Sequence, residues 1–495
     1  MIAARGGGGL SGCGVRRLGL ATLLTAGVLL ATGAQPATAG ARPLITGVAG
    51  IDEYSPLAFQ QVKATGARFV HMAIGWAGVA PRKEPSNWQP EDPADPNYDW
   101  TQIDVAVKGA VEAGLTPVLL VDGAPVWAQR CKAPAAVEGR LCDPDPAALA
   151  AFATAAARRY SGSFGGLPRV RYWQGLNEPN LSFFFNPQFE GGKPVSPALY
   201  RTLINAFYFA VKSIHSSNIV IAAGLGPIAR PHWTIGPMRF ARELLCMSGR
   251  YNPRPTPGNC DGGVHFDIFD IHPYTTGGPN HQGHVDDVEL GDLEKLQELI
   301  LAADRAGRIK GRFPVTPLWN TEFSWDSNPP DPGGLPMRIL SRWTAEALYQ
   351  GWSAGISHFF WYSLRDDARD PDAPFAETLE SGLYFRGATP AENQPKPSMY
   401  AFRFPFVAYA EKTGFSFWGR TPDSKGGTVL IQIWLGGSWR DASVARADRN
   451  GIFEGAVETS YGPNKHGTVR AQYRDETAIP FSLHPVRDFH QPPFG

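Results

Sequence analysis

Eight short β-type runs alternate with longer helical patterns across residues 44–363, and this alternation constrains the fold more than any other feature of the chain. The runs are 44–51, 67–74, 116–121, 170–176, 219–223, 266–271, 314–321 and 356–363. A strand, a helix and a second strand in series make a parallel crossover unit, and eight such units close into a barrel. The expectation is an α/β fold, a (β/α)8 TIM barrel over 40–400. The helical segments carry matching punctuation. Ser55-Pro56 and Ser196-Pro197 each read as a hydroxyl N-cap followed by a proline at the first helical position. Leu199, Leu203, Phe207, Val211 and Ile214 form one apolar stripe, and Gly66, Gly114, Gly307 and Gly355 stand where helices should end in left-handed caps.

Beyond residue 400 the pattern changes to β-type runs at 428–435, 442–447, 452–457, 468–474 and 479–483. Gly426-Gly427, Gly436-Gly437 and Asn450-Gly451 supply turns between them, so 401–495 reads as a small antiparallel β-sandwich of accessory character. For Trp434 and Trp439, core packing is the better reading than exposure as ligand platforms.

The N-terminus carries Arg16-Arg17, an apolar stretch over 18–31 and Ala37-Thr38-Ala39, the three regions of a secretory signal peptide spanning 1–39. The stretch is shorter than the roughly 20 residues of a spanning helix, so no membrane span is expected and the protein reads as secreted and extracellular. Cleavage would also remove Cys13, leaving Cys131, Cys142, Cys246 and Cys260 in an oxidising setting. Local pairing, Cys131 with Cys142 and Cys246 with Cys260, closes the smallest loops; the other connectivities stay open. Lys plus Arg and Asp plus Glu both total 46, so bulk charge attracts neither nucleic acid nor an anionic membrane, and the partner should be a neutral ligand.

Two glutamates close apolar runs: Glu178 in Leu176-Asn177-Glu178-Pro179 and Glu322 in Trp319-Asn320-Thr321-Glu322. They end the fourth and seventh strand candidates, which face each other across a barrel mouth. At about 5–5.5 Å and an effective dielectric near 20, two carboxylates repel by roughly 3 kcal/mol, or about two pKa units. Such a split leaves one acid protonated and one ionised, as acid/base chemistry on a single bond requires. The plainer reading is two ordinary surface or salt-bridged glutamates.

Those two segments, with Asp270-Ile271-His272-Pro273-Tyr274 and Phe360-Trp361-Tyr362, resemble strands four, six, seven and eight of the clan A glycoside hydrolases. Order and spacing are similar to family 39, with family 5 next. The resemblance implies an O-glycosyl hydrolase acting by retaining double displacement, with Glu178 as acid/base and Glu322 as nucleophile. It implies that Asn177 binds the sugar 2-hydroxyl, that His272 and Tyr274 surround the nucleophile and that Trp361 floors the subsite, without metal or cofactor. Two positions depart from it: Leu176 where a tryptophan is usual, and His71 where an arginine often supports the nucleophile. A histidine there would make that support pH-dependent or rearranged.

Asp270, His272 and Tyr274 share one strand parity and Asp267 the other. Asp270 is thus a candidate partner for His71 inside the barrel, and His265, Asp267, Asp270 and His272 serve a single metal poorly. Aromatic residues follow several strand ends: Trp76, Trp127, the run 183–185, Trp233 and Trp325. Trp127 and Trp325 are the expected subsite walls for a carbohydrate substrate, and loops 276–291 and 328–336 the expected rims. A different class also fits this outline, a non-catalytic secreted carbohydrate-binding protein on a glycosidase-like barrel.

Overall fold

The structure is a computed structural model that describes residues 42–486 apart from 133, 231–232, 257–261, 370–373 and 459–466. The signal peptide and Cys260 lie outside the described residues. Eight parallel strands form a closed barrel: β1 (Ile45–Ala49), β2 (Phe69–Gly75), β3 (Thr116–Asp122), β4 (Tyr172–Gly175), β5 (Ile219–Leu225), β6 (Ile268–Ile271), β7 (Leu318–Asn320) and β8 (Ile356–Tyr362). Each pairs with its sequence neighbour, and β1 closes on β8 in the register Ile45 to His358. The connecting helices are α1 (Pro56–Ala64), α2 (Thr101–Glu112), α3 (Pro146–Arg159), α4 (Ser196–Ile214), α5 (Pro237–Leu244), α6 (Leu293–Arg305) and α7 (Met337–Ser353). The expected TIM barrel is the observed one.

The helix punctuation is mostly as read. Ser55 Oγ accepts from the Ala58 N–H at 3.2 Å, and Gly66, Gly114, Gly307 and Gly355 all take positive φ just past helix ends. Ser196 differs. It is the first residue of α4 instead of its cap, and its hydroxyl donates to Gln188 Oε1 at 3.0 Å, because a neighbouring side chain outcompetes the local backbone. The α4 stripe packs inward, and Tyr200 from the same helix donates to Gly175 O at 2.9 Å while accepting from the Ala223 N–H at 2.7 Å. One side chain thereby ties the helix to β4 and β5.

Strand parity sorts the barrel interior into layers. Phe69, Val118, Ile219, Ile221, Ile268, Trp319 and Phe360 form a buried cluster inside the strands, against which Ile45 and Tyr172 pack. Trp319 stacks on His358 at 3.7 Å and Phe69 meets Tyr172 edge-on at 5.2 Å, so aromatic rings plug the lower barrel. Close packing is built in: a Cβ on Gly47 would sit 2.3 Å from the Phe360 ring. Residues two and four positions further along the same strands face upward from this plug, and they carry the chemistry.

The C-terminal part folds as two antiparallel sheets, as expected in outline. One joins β9 (Phe406–Glu411), β10 (Gly414–Arg420) and β13 (Ile452–Glu458); the other is built on β12 (Ser438–Ala447), β11 (Gly427–Leu435) and β14 (Thr468–Tyr473). The hairpin β9–β10 adds two strands ahead of the first run read from sequence. The 400/401 junction falls inside a further helix, α8 (Pro397–Arg403). Trp418 from β10 packs at 5.3 Å on both Tyr349 and Trp352 of α7, and the fully buried Arg420 donates to Leu44 O, Thr46 Oγ1 and Phe402 O. Trp434 is not core: it is 45% exposed on a hairpin, edge-on to Trp439 at 5.3 Å. Its position near the hairpin end on the outer face of β11 explains that difference.

Cys131 and Cys142 form a disulfide with a Cα separation of 5.6 Å, as the local pairing expected. Cys246 is buried, and its expected partner is the undescribed Cys260. No helix among the described residues is long and apolar enough to cross a membrane.

Candidate active site

Above the aromatic plug lies a buried polar layer. His71 from β2 donates through Nε2 to Gln174 Oε1 at 2.8 Å, and Gln174 donates through Nε2 to Asp270 Oδ2 at 3.1 Å. Thr321 closes the layer, with its hydroxyl 2.5 Å and its N–H 2.9 Å from the two oxygens of Asp270. Gly224 on β5 is required beside this network. A Cβ there would lie 2.7 Å from Gln174 Nε2 and 3.1 Å from Asp270 Oδ2, and its φ of +51° also favours glycine. The expected direct His71–Asp270 pair is thus bridged by Gln174. Burial pushes His71 down to about 4, against the opposing pull of Asp270, so it stays neutral where a pH-dependent charge was expected.

One step higher, His272 joins the two glutamates. Its Nδ1 lies 2.9 Å from Glu178 Oε1 and 3.7 Å from Glu322 Oε2, and its Nε2 lies 3.0 Å from Thr321 Oγ1. The two carboxylate oxygens are no further apart than the sum of the first two distances. That limit sits at the lower edge of the about 6.5–9.5 Å used by inverting glycosidases and admits the about 5–5.5 Å of retaining ones. Burial alone would lower the His272 pKa, but Glu322, Asp270 and Glu178 outweigh it and hold the imidazolium well above its usual range. Tyr274 donates to Glu322 Oε2 at 3.4 Å. Asp270, His272 and Tyr274 therefore face one way, as parity required. Asp267 faces out to Lys212 at 2.6 Å and His265 packs on Phe209. Among the described residues no group of three or more His, Cys, Asp or Glu is placed to hold a metal ion.

Burial pushes Glu322 up to about 7; Glu178 and Asp270 add to the rise and His272 opposes it. Glu178 sits on a strained turn, with φ +38° at Glu178 and +65° at Leu176, both unusual for residues with a Cβ. The turn is overdetermined by its anchors. Glu178 N–H donates to Gly224 O at 3.1 Å, and Asn180 uses its amide nitrogen on Gly226 O and Ile235 O and its amide oxygen on the Gly226 N–H. Leu176, where a tryptophan was usual, is buried beneath this turn.

The aromatic expectations divide. Trp361 is fully buried, its indole N–H donating to Ser381 O at 2.7 Å, so it does not floor the mouth. It has the wrong parity: His358 and Phe360 point into the barrel, and the next residue on that side is Tyr362. Burial raises the pKa of Tyr362, and Glu322 and Glu178 add to the rise. Trp325 is 4% exposed, bonded to Gly277 O and packed on Phe323 at 4.7 Å, so it braces the rim loops instead of forming a wall. Trp127 is half-buried, against Trp88 at 4.8 Å. Trp76 is buried, whereas Phe183 and Trp233 are exposed. In the 276–291 loop, Glu289 accepts from Thr275, from the Thr276 N–H and from His281.

Asp122, at the end of β3, was not singled out in the sequence. It shares parity with inward-facing Val118, accepts the Asn177 N–H at 3.4 Å and is pushed up to about 7 by burial, with Glu178 adding to the rise. Counting alternate residues from the apolar strand interior would have found both Asp122 and Tyr362.

Neither a protein-family model nor a curated protein matches the sequence. Among solved structures, the fold matches a family 39 glycoside hydrolase from the gut symbiont Bacteroides cellulosilyticus WH2, with TM-score 0.52 and 18% identity over 84% of this chain and 79% of that one. A GH39 enzyme from Xanthomonas axonopodis pv. citri aligns with TM-score 0.48 and 15% identity over 85% of this chain and 92% of that one. At such identities the likeness is one of fold, a closed eight-stranded parallel barrel.

Proposed function

We propose that this chain is a secreted retaining glycoside hydrolase. The observation that carries the reading is the convergence of Glu178 and Glu322 on one imidazole at the mouth of the barrel. In the first step the Glu322 carboxylate attacks the anomeric carbon while Glu178 delivers its proton to the departing glycosidic oxygen. The C–O bond breaks as a glycosyl ester forms on Glu322. In the second step Glu178 takes a proton from water, whose oxygen attacks the same carbon and returns Glu322 as carboxylate. His272 donates to Glu178 and sits beside Glu322, so its positive charge steadies whichever carboxylate is ionised. Tyr274 orients the nucleophile through Oε2. Asn177 meets the sugar 2-hydroxyl, and Tyr362 takes the position under the sugar that Trp361 leaves. Because Glu322 attacks as an anion and burial holds it up to about 7, kcat/KM should rise with pH through that region.

Trapping with a panel of 2-fluoro glycosides, followed by peptide mass mapping, tests the assignment. A label on Glu322 supports it, and a label on any other residue reassigns the nucleophile. A protein that binds glycosides but turns none over would be a carbohydrate-binding module on the same barrel. Export is tested by the N-terminal sequence of the protein from culture medium, expected to begin at Gly40.

A further inference from the structure

The mouth holds a third acid that the double displacement does not use. Asp122 ends β3 opposite Gly75, on the strand side that faces into the barrel, and it is only partly buried. Its Oδ1 accepts the backbone N–H of Asn177, which places the carboxyl beside the residue that precedes Glu178. Asn177 is itself 6% exposed, and its side-chain oxygen is buried without a hydrogen-bond partner. A buried acceptor left unpaired asks for a donor. Two acceptors, the Asp122 carboxyl and the Asn177 amide oxygen, therefore belong to two directly hydrogen-bonded residues on the β3–β4 side of the mouth. His272 carries positive charge in this cluster, and Glu178, Glu322 and Asp270 already share it.

Resting on the hydrolase reading of the same site, we propose that Asp122 reads the glycone. Together with Asn177 it accepts hydrogen bonds from hydroxyl donors of a neutral sugar, and it excludes sugars that carry a carboxylate or sulfate there. Burial already strains the ionisation of Asp122 and of Glu322, so a further anion beside them adds repulsion. A hydroxyl brings Asn177 the donor it lacks and Asp122 a further donor beside the Asn177 N–H.

The test compares wild type with Asp122→Asn on matched pairs of 4-nitrophenyl glycosides, each neutral sugar beside its uronic counterpart. Calorimetric binding of the same pairs in the Glu322→Gln background gives a readout that needs no turnover. Asparagine keeps an oxygen for the Asn177 N–H and removes the charge, and a thermal melt checks that the fold survives. Wild type should favour the neutral member by about 100-fold, and Asp122→Asn should narrow that ratio by about 10-fold or more in both rate and affinity. A wild-type preference for uronides, or a ratio unchanged by the substitution, overturns the proposal while leaving the hydrolase reading intact. If no glycoside is cleaved yet neutral ones bind in an Asp122-dependent way, the hydrolase reading falls and the recognition stands. Absence of both binding and cleavage removes both.

Discussion

Two buried clusters of charge follow the C-terminal ends of the barrel strands, one around His272 and one around Lys396. Lys396 is fully buried and its ammonium reaches Ser327 Oγ at 2.7 Å, Glu380 O at 2.9 Å and the carboxylate of Asp366. Three donors meet three acceptors, and one cation meets one close carboxylate. Around His272 one cation is divided among three carboxylates, the Glu322 contact is 3.7 Å, and Asn177 leaves an oxygen unpaired. The first arrangement holds segments together after β7 and β8. The second is left under-satisfied, and a substrate can complete it. Incomplete satisfaction at an overdetermined turn separates the candidate site from the structural cluster better than charge or burial does.

The largest test of this contrast is Glu322→Gln. Turnover should fall at least about 10³-fold, roughly 4 kcal/mol of barrier, measured with activated aryl glycosides. Stability should move the other way. The folded pKa of Glu322 lies near 7, above its ordinary 4.5, so the folded state holds the extra proton between those values and stability is lost as pH rises through the window. The glutamine variant lacks that loss and should melt higher than wild type at pH 8. A lower melting temperature there would mean that the acid cluster is structural.

Lys396→Met should do the reverse. It leaves Asp366 buried without its cation, and removing one partner of a buried pair costs about 3–5 kcal/mol of stability. Denaturant unfolding measures the loss, and Lys396→Met with Asp366→Asn should recover part of it. A cheap single substitution would collapse the distinction between the clusters.

A third effect is intermediate in size. His272 lowers the Glu322 pKa against burial, so His272→Gln should move the acid limb of kcat/KM to higher pH by about one unit, near 1.4 kcal/mol. A limb that stays in place would show that the imidazole does not carry the charge.

The barrel was legible because its signals are local: short apolar runs, helix-ending glycines and two acids at matching strand tips. Parity along β6 placed Asp270, His272 and Tyr274 correctly because alternation is a property of the strand alone. Trp361 and Trp325 misled because an aromatic near a strand end does not reveal its side. For Trp361 that side is fixed by the inward phase of His358 and Phe360. Gln174 was invisible for another reason: its role exists only once β2, β4 and β6 bring His71 and Asp270 to either side of it. The hairpin β9–β10 was missed because the helix-rich barrel pattern runs into it without a break at Phe404-Pro405.

The smallest expected effect probes the one flaw in the structural cluster. Asp326 lies near Lys396 with one buried oxygen unpaired, and burial pushes its pKa up to about 7. The folded value again exceeds the ordinary 3.8, so stability falls as pH rises between the two and remains low above pH 7. Asp326→Asn removes the charge and should stabilise the protein at pH 8 by on the order of 1 kcal/mol, because water at this partly exposed residue screens much of the shift. At pH 4 the gain should vanish. Turnover should stay within about twofold of wild type, since Asp326 bonds to neither glutamate nor His272. A matching drop in kcat would instead couple the two clusters, making the satisfied one part of the active site's support.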